Sequence, residues 1–379
     1  MKTSTVHLEE VAEFINGRAF KPSDWSRTGT PIIRIQNLTG TNEAFNYFEG
    51  PVDERVRVRK GAILISWSAS LGVYRWQGDD AVLNQHIFKV CLNEGVDPEY
   101  FFYAATAAVR EMVSRVHGST MQHITKDRFE SIQIPLPDLS EQQRIADRLE
   151  AADRLRRMRR YALELSDTFL PAAFIKLFGD PQSNPKNWPK CYLGDVILSA
   201  QDGPHVSPEY CKQGVPFLST RNVRPGEIVW DDLKYISVDD ARVQWRKVKP
   251  ERGDVLYTKG GTTGMAKAVD FNQDFAVWVH IAVLKICKEL VAPVWLENML
   301  NSQFCYRQSQ ELTFGIVNRD LGLKRMPRIR IYLPPLSLQE RYAELVERHE
   351  RLRANQREAL RQAEHLFQTL LHQAFTGGL

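Results

Sequence analysis

Ile134-Pro-Leu-Pro-Asp-Leu-Ser-Glu-Gln-Gln-Arg144 and, half a chain later, Ile331-Tyr-Leu-Pro-Pro-Leu-Ser-Leu-Gln-Glu-Arg341 decide how this sequence folds. Each runs through prolines into a long, charged, amphipathic stretch. Self-similarity at half the chain length marks a tandem duplication of a whole module and not a solenoid. In both stretches a serine is followed three residues on by a glutamine or glutamate, Ser140 with Gln143 and Ser337 with Glu340. That spacing predicts a capping box, in which the two side chains satisfy orphan backbone N–H groups at a helix start.

Downstream of the second junction, Leu338, Leu345, Leu352, Ala359 and Leu366 recur every seven residues. Tyr342, His349, Gln356, Ala363 and Leu370 follow four positions after each. This a/d seam predicts a coiled coil, with His349 and Gln356 setting register. The first junction leads into a less regular seam through Ile145, Leu149, Ala152, Leu155, Ala162, Leu165 and Phe169, which Pro171 ends or kinks. Neither seam can stay in water, so the two helices are expected to pair.

Upstream of each junction lies an α/β segment. Strand-like runs bounded by Gly, Pro and Asn cover Thr30–Leu38, Gly61–Ser66 and Gln85–Cys91, and a helix is expected over Pro98–Val116. The second copy matches them with Val215–Val223, Arg252–Thr258, Val279–Leu284 and a helix from Pro293. Framework residues persist while side chains diverge, so one scaffold carries two different surfaces. The expected fold class is α/β (mixed α+β), duplicated and pseudo-twofold, with the globular units separated by a long antiparallel two-helix coiled coil. The expected divisions are 1–137, 138–180, 188–334 and 335–379, with the Pro/Asn-rich Gly179–Pro189 as a linker.

Composition sets bounds only. At 379 residues the chain exceeds one ordinary core, and 43% hydrophobic with 25% charged residues is ordinary for a globular protein. No apolar run approaches the roughly 20 residues of a membrane helix, and the N-terminus lacks a signal-peptide core. Five scattered cysteines without a CxxC pair argue against a disulfide framework or zinc site and for a reducing cytosol. A net charge of +4 permits nucleic-acid binding without demonstrating it.

The repeated α/β unit, junction and helix, with Asp202-Gly-Pro-His205, Pro208 and the closing Ala374-Phe-Thr-Gly-Gly-Leu379, resemble the specificity subunit of type I restriction–modification systems. The resemblance covers essentially the whole chain. It implies two target-recognition domains that each read half of a split, asymmetric double-stranded DNA sequence. It also implies helices that space them and dock modification subunits, expected to number two, alongside restriction/translocase subunits. The chain itself would then be non-catalytic and cytoplasmic, with no membrane partner and no cofactor of its own. S-adenosylmethionine would sit on the methyltransferase partners. The alternative is a stand-alone DNA-binding or scaffold protein with duplicated recognition domains.

The sequence carries no enzyme motif. Its one Pro-Pro, in Leu333-Pro-Pro-Leu336, lacks the flanking residues of a base-flipping methyltransferase loop, and Gly260–Lys267 lacks the Gly-Lys-Ser/Thr ending of a phosphate loop. His86 and His280 read as packed or hydrogen-bonded core histidines at equivalent strand positions, and His205 as a turn residue. No metal site is expected. Base readout needs Arg, Lys, Asn, Gln or Ser/Thr at a groove edge. Loops after strands supply Arg34, Gln36, Asn37, Ser66, Trp67, Ser68, Gln122, His123 and Lys126 in the first copy. The second copy supplies Ser219, Arg221, Asn222, Lys259, Thr262, Thr263, Asn318, Arg319 and Lys324. Arg154–Arg160 carries i,i+4 acid–base spacings and reads as a solvated or partner-docking helix face.

Overall fold

A computed structural model describes residues 4–68, 70–115, 126–316 and 319–376. The chain forms two compact units: Met1–Tyr161 with Arg357–Leu379, and Ala162–Gln356.

In the first unit, Ala12–Asn16, Ile87–Leu92, Ile63–Ser66 and Gly72–Arg75 form an antiparallel sheet in that order. A second sheet orders Asn46–Phe48, Thr30–Ile33, Ala81–Leu83 and Arg57–Val58, with its middle pair parallel. The second unit repeats the first sheet and three strands of the other, with Tyr210–Cys211 as its edge where the first unit has Arg57–Val58 at the opposite edge. Ile197–Asp202, Ile281–Ile286, Val255–Thr258 and Ala266–Ala268 are antiparallel, and Val215–Leu218 runs parallel to Ala276–Val277. In each unit a two-stranded ribbon leads into the junction: Ser4–His7 with Gln133–Leu136, and Lys190–Tyr192 with Arg330–Tyr332. The duplication is therefore one of topology and register.

The expected strand Thr30–Leu38 stops at Ile33, and Ile35–Thr39 is a short helix. Asn37 causes the break, because its side-chain oxygen accepts the Arg34 N–H at 3.0 Å and closes a turn.

Two long helices follow the junctions, Leu139–Asp167 and Leu336–Thr376. Both begin before the predicted serine, so neither serine is a cap. Asp138 takes that role in the first copy, accepting Glu141 N–H at 2.9 Å and the Ser140 hydroxyl at 2.7 Å. In the second copy the equivalent residue is Pro335, whose carbonyl accepts Leu338 N–H at 3.0 Å. The helix predicted to end near Pro171 breaks after Asp167, and Phe169–Phe178 continues it. A proline ring clashes with the carbonyl four residues back, here Asp167, yet is tolerated in a first helical turn.

Within each unit the two helical segments run antiparallel. In the first unit Arg160 pairs with Glu364 at 2.7 Å, and the Arg156 guanidinium lies 4.2 Å from the Phe367 ring centre. In the second unit His349 bonds the Ser166 carbonyl at 3.0 Å, and Tyr342 packs 5.5 Å from both Phe174 and Phe178. The predicted seam holds only in part. Tyr342, His349 and Ala363 are buried, whereas Leu352 is 53% and Leu366 45% exposed and Phe367 and Leu371 are buried instead. Likewise Ile145, Leu149 and Ala152 are buried, while Leu165 is 58% exposed. A strict heptad fails because these helices also serve the globular cores. Phe367 meets Tyr103, and Phe178 meets Trp295.

The junction glutamine is the tightest shared feature. Gln142 accepts Asp97 N–H at 2.8 Å and donates to the carbonyls of Gly95 at 3.1 Å and Pro137 at 2.9 Å. Gln339 does the same with Ala292 N–H at 3.0 Å and the carbonyls of Leu290 at 3.1 Å and Pro334 at 2.8 Å. Each locks the long helix to the segment before Pro98 or Pro293. The expected linker is itself pinned: Asn184 brackets Trp188 with two bonds of 3.0 Å, and the Trp188 indole donates to Phe178 O at 2.8 Å.

Candidate nucleic-acid interface

The first candidate region follows the parallel strand of each copy, and the second follows a central strand of the neighbouring sheet. The first turn is built alike in both copies. Asn37 gives its amide to Asn42 O and Ala44 O, each at 3.0 Å. Asn222 accepts from Ser219 N and Oγ, both at 2.9 Å, and donates to Val229 O at 3.0 Å. Both asparagines thus have their capacity committed to the backbone. The residue before each, Gln36 or Arg221, is exposed. Arg34 is half-buried, with its guanidinium 5.9 Å from the Trp25 ring centre.

The second region also shares a frame and differs in chemistry. Trp67 N–H donates to His86 O at 3.2 Å, and Lys259 N–H to His280 O at 2.8 Å. The Trp67 indole bonds Asn16 at 3.3 Å and stacks on Phe88. Ser66 and Ser68 are buried, and Ser66 bonds Ser70 O. At the Trp67 position of the second copy, Lys259 is buried and reaches Asp202 at 3.2 Å and Asp320 at 3.3 Å. Lys247 also holds Asp202, and Arg325 holds Asp320 at 3.2 Å. The sequence offered Lys259 as a free cation for DNA; the fold uses it as the centre of a charge chain.

A shared glycine follows the first strand of each copy. A Cβ on Gly17 would lie 2.0 Å from Asn84 O, and one on Gly203 would lie 1.9 Å from Val277 O. The close approach of backbone explains why the turn reads Asn16-Gly and Asp202-Gly.

In the third region Thr262, Arg319 and Lys324 are exposed. Thr263 is buried, its carbonyl accepting from Gln310 at 3.2 Å. Gly261 N–H donates to Arg319 O at 3.0 Å, which brings Thr262 and Arg319 together. Lys126 pairs with Glu130 at 3.3 Å. Gln122, His123 and Asn318 lie outside the described residues.

His86 and His280 differ in place from expectation, whereas His205 does not. His86 and His280 stand in the turn ahead of a strand, where His86 has φ 73° and His280 is exposed. The shared feature is the backbone carbonyl that accepts the Trp67 or Lys259 N–H, while the His86 ring also packs 4.8 Å from the Trp67 ring. His205 is an exposed turn residue, its Nε2 3.7 Å from Asp202.

One pocket was missed. A cavity of about 470 Å³ in the second unit is lined by Tyr210, Phe217, Ser219, Arg221, Lys234 and Trp278. The Lys234 ammonium lies 4.1 Å from the Tyr210 ring centre. These residues are far apart in sequence and meet only because Val215–Leu218 pairs with Lys234–Ile236 and Ala276–Val277. Asp231 and Asp232 line it too, so donors and acceptors together stand over aromatic walls, as the mixed hydrogen-bonding edges of bases require. No group of His, Cys, Asp and Glu among the described residues could hold a metal ion. No helix among them is long and apolar enough to cross a membrane.

Burial raises the Asp202 carboxyl, but hydrogen bonds and charge from Lys247 and Lys259 outweigh it and leave it below the ordinary value. A depressed carboxyl adds stability above its unfolded pKa of about 3.9 and loses it as pH falls through the folded value. Unfolding followed from pH 6 down to pH 2 should therefore lose stability below about pH 4. Asp202→Asn should flatten that limb; an unchanged acid limb would remove Asp202 as its source.

The sequence model of the family described as "Type I restriction modification DNA specificity domain" matches residues 2–164. The type I restriction enzyme EcoBI specificity subunit of Escherichia coli is 24% identical over 412 residues, covering 99% of this chain and 85% of that protein. The MjaVIII specificity subunit of Methanocaldococcus jannaschii is 22% identical over 343 residues, covering 86% of this chain and 80% of that protein. The fold is similar to the type I restriction–modification S subunit from M. genitalium, with TM-score 0.61 and 13% identity over 99% of this chain and 96% of the other. It is also similar to a chain from work on complex assembly and conformational transition of the type I R-M system, with TM-score 0.57 and 20% identity over 100% and 99%. With its duplicated topology and matched junctions, the chain is similar over essentially its whole length to type I restriction–modification specificity subunits, and its residues 2–164 match the DNA specificity domain of that family.

Proposed function

We propose that this protein is the DNA-reading subunit of a type I restriction–modification complex, each unit reading one half of a split, asymmetric target. One observation carries the reading. Both units brace the same turn with Asn37 or Asn222, yet present different side chains, Gln36 and Arg221, at the position before it. A frame that repeats under a surface that differs suits a two-part, non-palindromic sequence.

On this reading the chain is non-catalytic, binds no cofactor itself and works in the cytoplasm. Methyltransferase subunits, two in number, supply S-adenosylmethionine chemistry, and restriction subunits complete the assembly. The exposed Leu155, Met158 and Tyr161 in one unit and Leu165, Phe169 and Leu352 in the other support docking of such subunits on the helices. Arg156 and Arg157 are engaged by Asp153, and Arg351 by Glu347 at 3.1 Å, which supports a solvated or docking face over a DNA arm.

Co-expression with a methyltransferase partner, followed by mapping of methylated adenines, tests the function directly. A split motif is expected; methylation without a motif, or none at all, would count against it. Arg221→Ala should relax one half of the motif and leave the other intact, at about 1–3 kcal/mol in specific binding. Its unfolding free energy should change by less than about 0.5 kcal/mol, as for other exposed substitutions. Equal weakening at every sequence would make Arg221 a phosphate contact.

A further inference from the structure

The segment from Thr313 to Arg325 ends the second unit's third loop region and leaves two large apolar side chains in water. Ile316 is 98% exposed and Phe314 61% exposed. Gly315, with φ 91°, makes the turn between them, a conformation other residues rarely adopt. Single exposed apolar residues are ordinary, but this tip is pinned at its base. Phe314 and Asp320 exchange backbone hydrogen bonds of 3.0 and 2.9 Å. The Asp320 carboxylate is held by Lys259 at 3.3 Å and Arg325 at 3.2 Å. Arg325 also donates to Leu312 O at 3.0 Å and Leu321 O at 2.9 Å, and lies 4.7 Å from the Phe314 ring centre. Charge favours a polyanion as the occupant: Arg319 and Lys324 are exposed in this segment, while the Asp320 carboxylate is offset by Lys259 and Arg325. The tip adjoins the recognition loops, since Gly260 bridges to Asp320 and Gly261 bonds Arg319.

We propose that Phe314 and Ile316 form an apolar wedge that enters a base step in the half-site read by the second unit. The proposal rests on the DNA-reading function above. Apolar side chains between base pairs unstack a step and bend the duplex, while flanking cations hold the phosphates. The ion pairs of Asp320 with Lys259 and Arg325 hold the base of the segment at Phe314 and Asp320.

The test uses the full chain assembled with its methyltransferase partner, on duplexes carrying the mapped target with 2-aminopurine scanned through that half-site. A severalfold fluorescence rise at one position is expected. Ile316→Ser and Phe314→Ala should abolish it and weaken specific binding about tenfold, leaving thermal unfolding and the other half-site unchanged. Specific binding with no fluorescence rise, and with Ile316→Ser behaving as wild type, would overturn the wedge and leave the reading function standing. Loss of partner assembly in Ile316→Ser, without any fluorescence change in the wild type, would reassign the tip to a protein interface. A wild-type complex that binds all sequences alike would overturn the reading function and the wedge with it.

Discussion

Replacing Gln339 with leucine should destabilise the second unit by about 3–5 kcal/mol, the cost of leaving several buried backbone groups without a partner. Three groups lose their partner at once: Ala292 N–H, Leu290 O and Pro334 O. Gln339 is fully buried, so water cannot enter to replace the amide without opening the junction. Gln142→Leu should act alike on the first unit through Asp97, Gly95 and Pro137. The adjacent Glu340 is exposed, and Glu340→Ala should change stability by less than about 0.5 kcal/mol. Urea unfolding of the four proteins checks this, with hydrogen exchange at Ala292 as a local probe. Equal small effects at Gln339 and Glu340 would show that the amide is not what joins helix to domain.

Lys259→Met should cost the second unit about 1.5–3 kcal/mol, because it removes one of two cations from the buried Asp202 and one of two from the part-exposed Asp320. Asp202, only 2% exposed, would keep Lys247, while Asp320 would keep Arg325. The loops at Asp202, Lys259 and Asp320 would lose their common tie. A double-mutant cycle with Asp202→Asn sharpens the test: the double variant should be less destabilised than the sum of the singles by about 1–3 kcal/mol. If Lys259→Met melts like wild type and only weakens DNA binding, the lysine is a surface cation after all.

Much of the frame was legible in the sequence. Two junctions, two helices and two sets of strands follow from a repeat whose period and turn residues need no tertiary knowledge. The capping boxes were misread because Ser–x–x–Gln/Glu is a local signal, and Asp138, one residue before the helix, competes for the same N–H groups. The heptad was overextended because it assumes a helix packed only against another helix, whereas Phe367 and Phe178 enter globular cores.

The candidate site was legible by region and not by residue. Asn37, Asn222, Lys259 and Thr263 are polar residues on loops, as base contacts would be, but their partners lie 3 to 61 positions away and commit them to the fold. Nothing local separates a buried lysine from an exposed one, since burial depends on carboxylates brought in by other strands. The sequence alone determined that one scaffold is used twice with two different surfaces, because patterning and turn chemistry are local. Only the tertiary structure decided which polar residues brace that scaffold and which remain free to read, because hydrogen-bond satisfaction is a property of neighbours in space.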